Sequence, residues 1–320
     1  MNCDVVYASD SFGCGLWGSM LTLLAHATCD VHFHVVTPDG LAILPRGINA
    51  TIHKLPTTPP ERNLNHLQGH PSTNARYFFP SYVNVSRALY IDTDTLIDGD
   101  ISELFQMDMK GATVACHAQE WQTLKWWNNG TSIAGIPDSR QLYSAGVVLV
   151  DVNEWRKHNW TERLLDLAAN GQGLGSNDDQ LVFNVIGARD DAIIPFEDRW
   201  HGPCLGCEPT RSNDLYRRSI PGIHHWCCAN KWWLPRGDNQ LYAMKLIDLL
   251  PHDSTMCSLP LRVQTRRLQA QNTKLWWIIY VIGVCTFCYA IWIRRDSLGT
   301  VCYALHSRCC HCHTTYVRVR

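Results

Sequence analysis

Two carboxylates with one residue between them form the motif whose chemistry is easiest to define. Asp92-Thr93-Asp94 directly follows the apolar run at 88–91, which predicts an acidic turn at the end of a buried strand. Two carboxylates placed in this way can point towards one ion, and oxygen ligands suit Mn²⁺ or Mg²⁺. Such an ion in turn binds the two phosphates of a nucleotide diphosphate. An isolated motif of this type is also typical of a solvated acidic turn, so the surrounding elements matter.

The elements around the acidic motif are those of an α/β domain. Residues 4–10 form an apolar run that ends in polar residues, and residues 15–28 carry apolar side chains at helical spacing. Residues 31–40 predict a second strand that is closed by a Pro-Asp-Gly turn. A strand, a helix and a strand joined by short connections predict a βαβ unit. Open α/β sheets bind ligands in the crevice at the carboxyl ends of their strands. The acidic motif therefore falls where a nucleotide site is expected.

Further elements are predicted on both sides of the acidic motif. The spacing of apolar residues predicts a helix over 75–83, a short helix near Ser102, a strand over 143–155, and helices over 160–170 and 178–187. The segment 200–236 is dense in Trp, Cys, His and Gly, and we expect it to form a loop-rich lobe that closes the domain.

Six motifs then occur in the order seen in one known family. They are YASD at 7–10, AR-YFFP at 75–80, ALYIDTDTLIDGDISELF at 88–105, SAGVVLVDVNEW at 144–155, DDQLVFN at 178–184 and HWCCANKWW at 225–233. In this order the chain resembles the family 8 retaining glycosyltransferases, which include the glycogenins and bacterial lipopolysaccharide galactosyltransferases. The resemblance covers roughly residues 3–250. It implies an α/β fold with a single Rossmann-like, nucleotide-sugar-binding domain of the GT-A type, whose sheet is mixed and mainly parallel.

The resemblance also implies a metal site. In the family an acidic pair and a distant histidine bind Mn²⁺, and these positions match Asp92, Asp94 and His225 here. Imidazole suits Mn²⁺ as a third ligand, although the neighbouring His224 could take that place. Six residues after the histidine the family has a lysine, which is Lys231 in this chain, and its charge would neutralise the leaving diphosphate.

Contacts to a UDP-sugar donor are implied in the same way. Asp10 matches the position that contacts the uracil base, and Arg76 matches an arginine near the acidic pair, where its two-pronged group can bridge a carboxylate and a phosphate. Asp179 and Gln180 match residues near the anomeric carbon of the donor sugar, where covalent and same-face mechanisms both stay open. The remaining donor-binding positions are Ala8, Thr93 and Ser144.

Four positions depart from the family pattern. Ser144 replaces Asn, Leu181 replaces Asp, Cys228 replaces Gly and Trp232 replaces Pro. Two other functions therefore stay open beside transfer of a hexose to a glycan, glycoprotein or glycolipid. One is an inactive, membrane-tethered protein that binds a nucleotide or glycan, and the other is a self-glucosylating initiator like the glycogenins.

A membrane anchor is predicted after the catalytic domain. Residues 275–293 contain no charged side chain, and a helix of this length spans about 28 Å, close to the thickness of the hydrocarbon core. We therefore expect a catalytic domain over 1–255, a linker over 256–274, a transmembrane helix over 275–293 and a Cys/His-rich tail over 294–320. A buried core helix is the alternative, and the flanking Lys and Arg residues do not decide the orientation.

Cysteine usage and glycosylation motifs favour the lumen of the Golgi or the endoplasmic reticulum. The chain has 15 cysteines, as in secretory-pathway proteins, and N-x-S/T motifs at Asn49, Asn84, Asn129 and Asn159. We expect Cys204, Cys207, Cys227 and Cys228 to form disulfides, with a zinc site as the alternative. A cytosolic, tail-anchored protein stays possible because no signal peptide is recognised. The net charge of −1 argues against a nucleic-acid partner.

Overall fold

The fold is known from a computed structural model. It describes residues 1–57, 71–170, 179–201 and 220–227, together with Leu174 and Lys231 and apart from residues 11, 12, 43 and 46. All of them belong to one compact unit, Met1–Leu261. The predicted linker, transmembrane helix and tail lie outside the described residues, as do Cys204, Cys207, Cys228 and Trp232. The predicted domain boundaries therefore stay predictions.

Within the described residues, seven strands form one sheet in the order β3-β2-β1-β4-β7-β6-β8. Only β7 runs antiparallel to its neighbours, so the sheet is mixed and mainly parallel, as the resemblance implied. A separate two-stranded ladder joins β5 and β9. The strands are β1 (Asn2–Ala8), β2 (Asp30–Thr37), β3 (Ala50–Lys54), β4 (Arg87–Ile91), β5 (Thr95–Ile97), β6 (Val114–Thr123), β7 (Gln141–Asp151), β8 (Ile193–Pro195) and β9 (Ile223–His225).

Helices cover both faces of the sheet. They are α1 (Cys14–His26), α2 (Phe79–Tyr82), α3 (Ser102–Phe105), α4 (Leu124–Trp127), α5 (Val152–Lys157), α6 (Trp160–Asn170) and α7 (Asp179–Asp190), with 3₁₀ turns at Pro71–Phe78 and Asp198–His201. One buried cluster packs α6 and α7 against the sheet, and another packs α1 and α3 against the opposite face. Strands covered on both faces have continuous apolar runs, which explains the sequence of β7.

The predicted βαβ unit is confirmed, because β1 and β2 pair in parallel from Asn2↔Asp30 to Ala8↔Val36 with α1 between them. The strand predicted over 143–155 was wrong at its end. It stops at Asp151, whose carboxylate accepts hydrogen bonds from the backbone N–H groups of Asn153 and Glu154 and so caps α5. The helix predicted over 75–83 is instead a 3₁₀ turn followed by α2.

A disulfide between Cys3 and Cys29 links the beginning of β1 to the residue before β2. The sequence indicated disulfides without indicating this pair. Cys227 is also disulfide-bonded, as expected. No helix among the described residues is both long enough and apolar enough to cross a membrane.

Candidate active site

The acidic motif lies between β4 and β5, and β9 brings the distant histidine to it. Thr95 of β5 pairs with His225 of β9, and the backbone N–H of Trp226 donates to the carbonyl of Asp94. These main-chain contacts join two segments that are about 130 residues apart in the sequence. The prediction that the two carboxylates and an imidazole share one site therefore agrees with the geometry.

Three side-chain atoms converge at this point. His225 Nε2 lies 2.9 Å from Asp94 Oδ1 and 3.7 Å from Asp92 Oδ2, and one ligand atom from each residue lies within 4.8 Å of the others. Asp94 Oδ1 is buried, and His225 Nε2 is the polar atom that lies against it. A buried carboxylate oxygen needs a positive or hydrogen-bonding partner, and a cation held between these atoms would supply one. The three residues thus fit a divalent metal ion.

His224 does not share this arrangement. Successive side chains of a strand point to opposite sides, so His224 points away from the site and its Nε2 lies 2.9 Å from Asp98 Oδ1. The structure therefore favours His225 over His224 as the third ligand.

The other oxygen of each carboxylate is held by a neighbouring side chain. Asp92 Oδ1 accepts hydrogen bonds from Tyr90 Oη at 2.9 Å and from Arg76 Nη2 at 3.2 Å. Asp94 Oδ2 accepts one from Lys231, whose ammonium group also donates to the carbonyl of Trp226. Partners of this kind orient metal ligands and tune their affinity. In this arrangement the free oxygen of each carboxylate faces His225.

Burial and charge act against each other in this cluster. Burial raises the pKa of Asp94, but the nearby His225 and Lys231 outweigh it and hold that pKa below its ordinary value. Burial lowers the pKa of His225, but the charge of Asp94 outweighs it and the pKa is raised. Burial also raises the pKa of Asp92, an effect that the charge of Arg76 opposes. The cluster therefore attracts positive charge to the point between the carboxylates.

His201 completes the site and was missed by the sequence reasoning. Its Nε2 lies 2.7 Å from His225 Nδ1 and 2.8 Å from Ser144 Oγ. Burial lowers the pKa of His201 well below its ordinary value, and the charges of His225 and His117 lower it further. His201 is therefore neutral, and its Nε2 can accept a hydrogen bond from the Nδ1–H group of His225. No spacing rule connects it to the acidic motif, because a short 3₁₀ turn places it there.

Gly146 lies directly against the converging atoms. A Cβ atom on this residue would lie 2.2 Å from His225 Cε1 and 2.7 Å from Asp92 Oδ2. Its carbonyl accepts a hydrogen bond from the backbone N–H of Asp92 at 2.8 Å. The small residue at this position therefore leaves the room in which the imidazole and the carboxylate meet.

Arg76 connects the acidic motif to α7. The guanidinium is buried, and it lies 3.2 Å from Asp92 Oδ1 and 2.9 Å from Asp179 Oδ2. Gln180 Oε1 accepts a hydrogen bond from the backbone N–H of Ala145 at 3.2 Å. The structure thus brings Arg76, Asp179 and Gln180 to the candidate metal-binding cluster. It shows Arg76 between two carboxylates, and its contact with a phosphate stays a prediction.

The predicted base-binding residues lie at the carboxyl end of β1. Ala8 is the last residue of this strand and is nearly buried. Asp10 is exposed, and its Oδ1 accepts a hydrogen bond from the backbone N–H of Ser72 at 2.8 Å. Asp10 and Thr37 line a small cavity at the carboxyl ends of β1 and β2. Thr93 is half-buried in the acidic turn. Their contact with a nucleotide stays a prediction.

Leu181, one of the departures from the family pattern, has a packing explanation. It is fully buried on α7, in a cluster with Leu124 of α4 and Leu142 of β7. An acidic residue could not replace it there without burying an unpaired charge. This departure therefore lies in the hydrophobic core.

Comparison with known proteins identifies the family and agrees with the fold. The model of the family described as glycosyl transferase family 8 matches residues 48–237, which is 190 of the 320 residues. The chain is 27% identical over 256 residues to the probable galacturonosyltransferase-like 4 of Arabidopsis thaliana, covering 69% of this chain and 70% of the plant protein. It is 32% identical over 167 residues to general stress protein A of Bacillus subtilis, covering 47% of this chain and 54% of that protein. The match to glycosyltransferase GlyF of Streptococcus pneumoniae covers only 26% of that protein.

Solved structures share the architecture. The galactosyltransferase LgtC in complex with donor and acceptor sugar analogues has a TM-score of 0.59 at 17% identity, covering 79% of this chain and 99% of that chain. The glycosyltransferase GlyE of Streptococcus pneumoniae has a TM-score of 0.56 at 20% identity, covering 83% of this chain and 64% of that chain. At these identities the likeness concerns the fold, and it confirms the predicted GT-A-like α/β class. Because one family model spans more than half of the sequence, the chain belongs to glycosyltransferase family 8.

Proposed function

We propose that the protein is a metal-dependent, retaining hexosyltransferase that moves a hexose from a UDP-sugar to a glycan, glycoprotein or glycolipid acceptor. The observation that carries the proposal is the convergence of Asp92 Oδ2, Asp94 Oδ1 and His225 Nε2 on one point. Two carboxylates and one imidazole suit Mn²⁺, with Mg²⁺ as the alternative. When bound, the ion ties the diphosphate of the donor to the protein and offsets the charge of the leaving group.

Lys231 and Arg76 supply the other positive charges of the proposed site. The ammonium group of Lys231 lies against Asp94, close to where the leaving diphosphate would develop negative charge. Arg76 is held between Asp92 and Asp179, so it fixes the positions of a metal ligand and of the first residue of α7. Both cations therefore act at the junction between the metal and the sugar.

Asp179 and Gln180 are assigned to the anomeric carbon. Both lie at the beginning of α7, and both are held in place, Asp179 by Arg76 and Gln180 by the backbone of Ala145. A side-chain oxygen beside the anomeric carbon stabilises the positive charge of an oxocarbenium-like transition state. Fixed side chains do this better than mobile ones, because no reorganisation is needed during the reaction.

The relatives support the kind of sugar in the proposal. One curated relative is described as a galacturonosyltransferase-like protein, and one solved structure of the same fold is a galactosyltransferase. These descriptions support transfer of a six-carbon sugar, and the uridine diphosphate is proposed from the family resemblance. Ser144, which the family resemblance places at the sugar, is engaged with His201, so the identity of the sugar is not transferred from either relative.

We further propose that the catalytic domain lies in the lumen of the Golgi or the endoplasmic reticulum and is anchored by residues 275–293. The Cys3–Cys29 disulfide supports an oxidising compartment. The Asn residues of all four N-x-S/T motifs are exposed, as acceptors of N-linked glycans must be. The apolar composition of residues 275–293 supports the anchor.

The test is release of UDP by the purified full chain, supplied with Mn²⁺ and in turn with UDP-galactose, UDP-glucose and UDP-galacturonate. We expect Asp94→Ala to reduce the rate about 100-fold or more, because it removes a metal ligand and the partner of Lys231. Asp138→Ala is the matched control, since this exposed carboxylate contacts Lys125 and Ser132 on the surface. Its rate should stay at the wild-type value.

Two outcomes would contradict the proposal. Equal rates for the wild type and Asp94→Ala would remove the metal site from the reaction. Mn²⁺-dependent binding of UDP without any release from the three donors would instead favour the inactive binding protein. The departures at Ser144 and Cys228 make that second outcome worth measuring.

A further inference from the structure

A second group of metal-binding side chains lies on the first three strands, away from the candidate active site. Asp4 of β1 and His32 and His34 of β2 project from the same face of the sheet, where Thr51 and His53 of β3 are their neighbours. Asp4 and His32 lie towards the amino-terminal ends of the strands, whereas Asp92 follows the carboxyl end of β4. The two groups are therefore at opposite ends of the sheet.

The two histidines direct one ring nitrogen each at the same carboxylate oxygen. His34 Nε2 lies 2.9 Å from Asp4 Oδ1, and His32 Nδ1 lies 3.5 Å from it. One ligand atom from each residue lies within 4.8 Å of the others. When ligand atoms lie about 2.0–2.1 Å from a tetrahedral zinc ion, the distances between those atoms are similar to the ones seen here. Only a small adjustment is therefore needed to place one ion among the three residues.

The second nitrogen of each imidazole is held by β3. His32 Nε2 lies 2.9 Å from Thr51 Oγ1, and His34 Nδ1 lies 3.0 Å from His53 Nε2. Histidines that bind metals characteristically use their other ring nitrogen in such a hydrogen bond, which fixes the tautomer and the ring orientation. Both nitrogens that face Asp4 are thus presented by rings that are already oriented.

The burial of these side chains and their access to solvent also suit the binding of a metal ion. The side chains of Asp4 and His34 are only 11% and 8% exposed, so their polar atoms gain from a shared partner. The side chain of His32 is 34% exposed and opens the group to solvent. Asp4 also lines a cavity of about 500 Å³ together with Met1 and Ser86. An ion can therefore reach the group without opening of the sheet.

We propose that Asp4, His32 and His34 form a second metal site, which binds Zn²⁺. Two imidazoles and one carboxylate are ligands that zinc prefers, whereas the candidate active site offers two carboxylates and one imidazole. Water completes the coordination on the exposed side. The ion links the beginning of β1 to β2, next to the Cys3–Cys29 disulfide, and the site stabilises this end of the sheet.

The experiment measures the zinc content of the full chain. Metal-free protein is given a small excess of Zn²⁺, passed through a desalting column and analysed for bound zinc. The proteins compared are the wild type, His32→Ala, Asp4→Asn, Asp94→Ala and His32→Ala/Asp94→Ala. His158→Ala is the matched control, because this exposed histidine on the surface contacts Glu154.

We expect His32→Ala and Asp4→Asn each to lose one zinc ion per chain relative to the wild type, and His158→Ala to lose none. The double variant should lose one more ion than Asp94→Ala alone. Zn²⁺ should also raise the melting temperature of Asp94→Ala but not that of the double variant. Asp4→Asn should remain folded, since an amide can still accept the hydrogen bonds of the histidines, so its loss of zinc cannot be explained by misfolding. Unchanged zinc content in His32→Ala and Asp4→Asn would overturn the proposal.

Discussion

At the scale of single residues, Gly146 controls whether the candidate metal site can form. We expect Gly146→Ala to abolish binding of Mn²⁺, because the added Cβ would lie 2.2 Å from His225 Cε1 and push the imidazole away from Asp94. The measurement is titration of the protein with Mn²⁺, followed by electron paramagnetic resonance. Its control is circular dichroism, which should show that the variant remains folded. Wild-type affinity in a folded Gly146→Ala protein would show that the imidazole is not a ligand.

His201 is a second residue whose substitution should change the affinity for Mn²⁺. It contacts His225 and would not bind the proposed ion itself, so it is a residue that positions the His225 ring. We expect His201→Ala to weaken Mn²⁺ affinity about 10- to 100-fold, because the His225 ring loses the acceptor for its Nδ1 proton. Isothermal titration calorimetry measures the affinity.

Two further variants show whether His201 orients His225 by a hydrogen bond or only by packing. His201→Gln keeps an amide oxygen near His225 and should recover part of the affinity. His117→Phe keeps an aromatic ring against His201, on which His117 stacks with a centroid distance of 5.2 Å, and should keep the wild-type affinity. If His201→Gln binds as weakly as His201→Ala and His117→Phe is equally impaired, the effect is one of packing alone.

At the scale of the elements, the sequence predicted those that are long or strongly patterned. The strands β4 and β7 are buried and mostly apolar, β1 and β2 are mostly buried, and α6 buries Trp160, Leu164 and Ala168 along one side. The short strands β5, β8 and β9 have three residues each, too few to show a period. The edge strand β3 alternates weakly, because most of its residues are exposed.

The residues of the candidate site also differ in whether the sequence could predict them. The acidic motif could be found from the sequence because it stands at the end of a predictable strand. His225, Asp179 and Gln180 required the family resemblance, and pairing of β5 with β9 is a long-range contact that no local pattern encodes. For Arg76 the resemblance implied a place near the acidic pair but not its second carboxylate partner, Asp179. Sequence reasoning had no signal for His201, which tertiary packing brings to the site.

Asp100 links two elements, and its hydrogen bonds predict how the stability of the fold changes at acid pH. Its carboxylate accepts hydrogen bonds from the backbone N–H and hydroxyl of Thr28, after α1, and from those of Ser102, the first residue of α3. Burial raises the pKa of Asp100, but these four hydrogen bonds together outweigh it and lower the pKa to about 2. A depressed pKa stabilises the fold above the unfolded-state pKa of about 3.9, and this contribution is lost as the pH falls towards 2.

We expect Asp100→Asn to reduce the free energy of unfolding by about 1 kcal/mol at pH 7, as for loss of a helix-capping carboxylate. The difference from the wild type should shrink between pH 4 and pH 2, because the wild-type carboxylate then becomes neutral. Thermal unfolding across this range measures it. Asp108→Asn is the control, since Asp108 is exposed and accepts a hydrogen bond from Lys110 in its own turn. A pH-independent difference would contradict the assignment.

At the scale of the whole molecule, the proposed lumenal location predicts glycosylation. Asn49, Asn84, Asn129 and Asn159 are all exposed, and Asn129 and Asn159 have positive φ angles of 53°, a backbone conformation that occurs mainly in turns. We expect the full chain, expressed in cells with a secretory pathway, to lose mass when treated with an endoglycosidase. Gel mobility measures the shift.

A variant with Asn→Gln at all four positions is the control for this experiment, and its mobility should not change on treatment. An unchanged mobility of the wild-type chain would place the catalytic domain on the cytosolic side of the membrane. In that case the Cys3–Cys29 disulfide should also be absent from protein isolated from cells, which alkylation of free thiols followed by mass spectrometry would detect.

The ladder between β5 and β9 has a consequence for biosynthesis. The carboxylates at 92 and 94 leave the ribosome long before residues 223–225 do, so the imidazole of His225 is the last of the three groups to arrive. A nascent chain can therefore assemble much of its central sheet before the proposed metal site is complete. If the proposed function is correct, the order of synthesis delays competence for sugar transfer until residues 223–225 have been made.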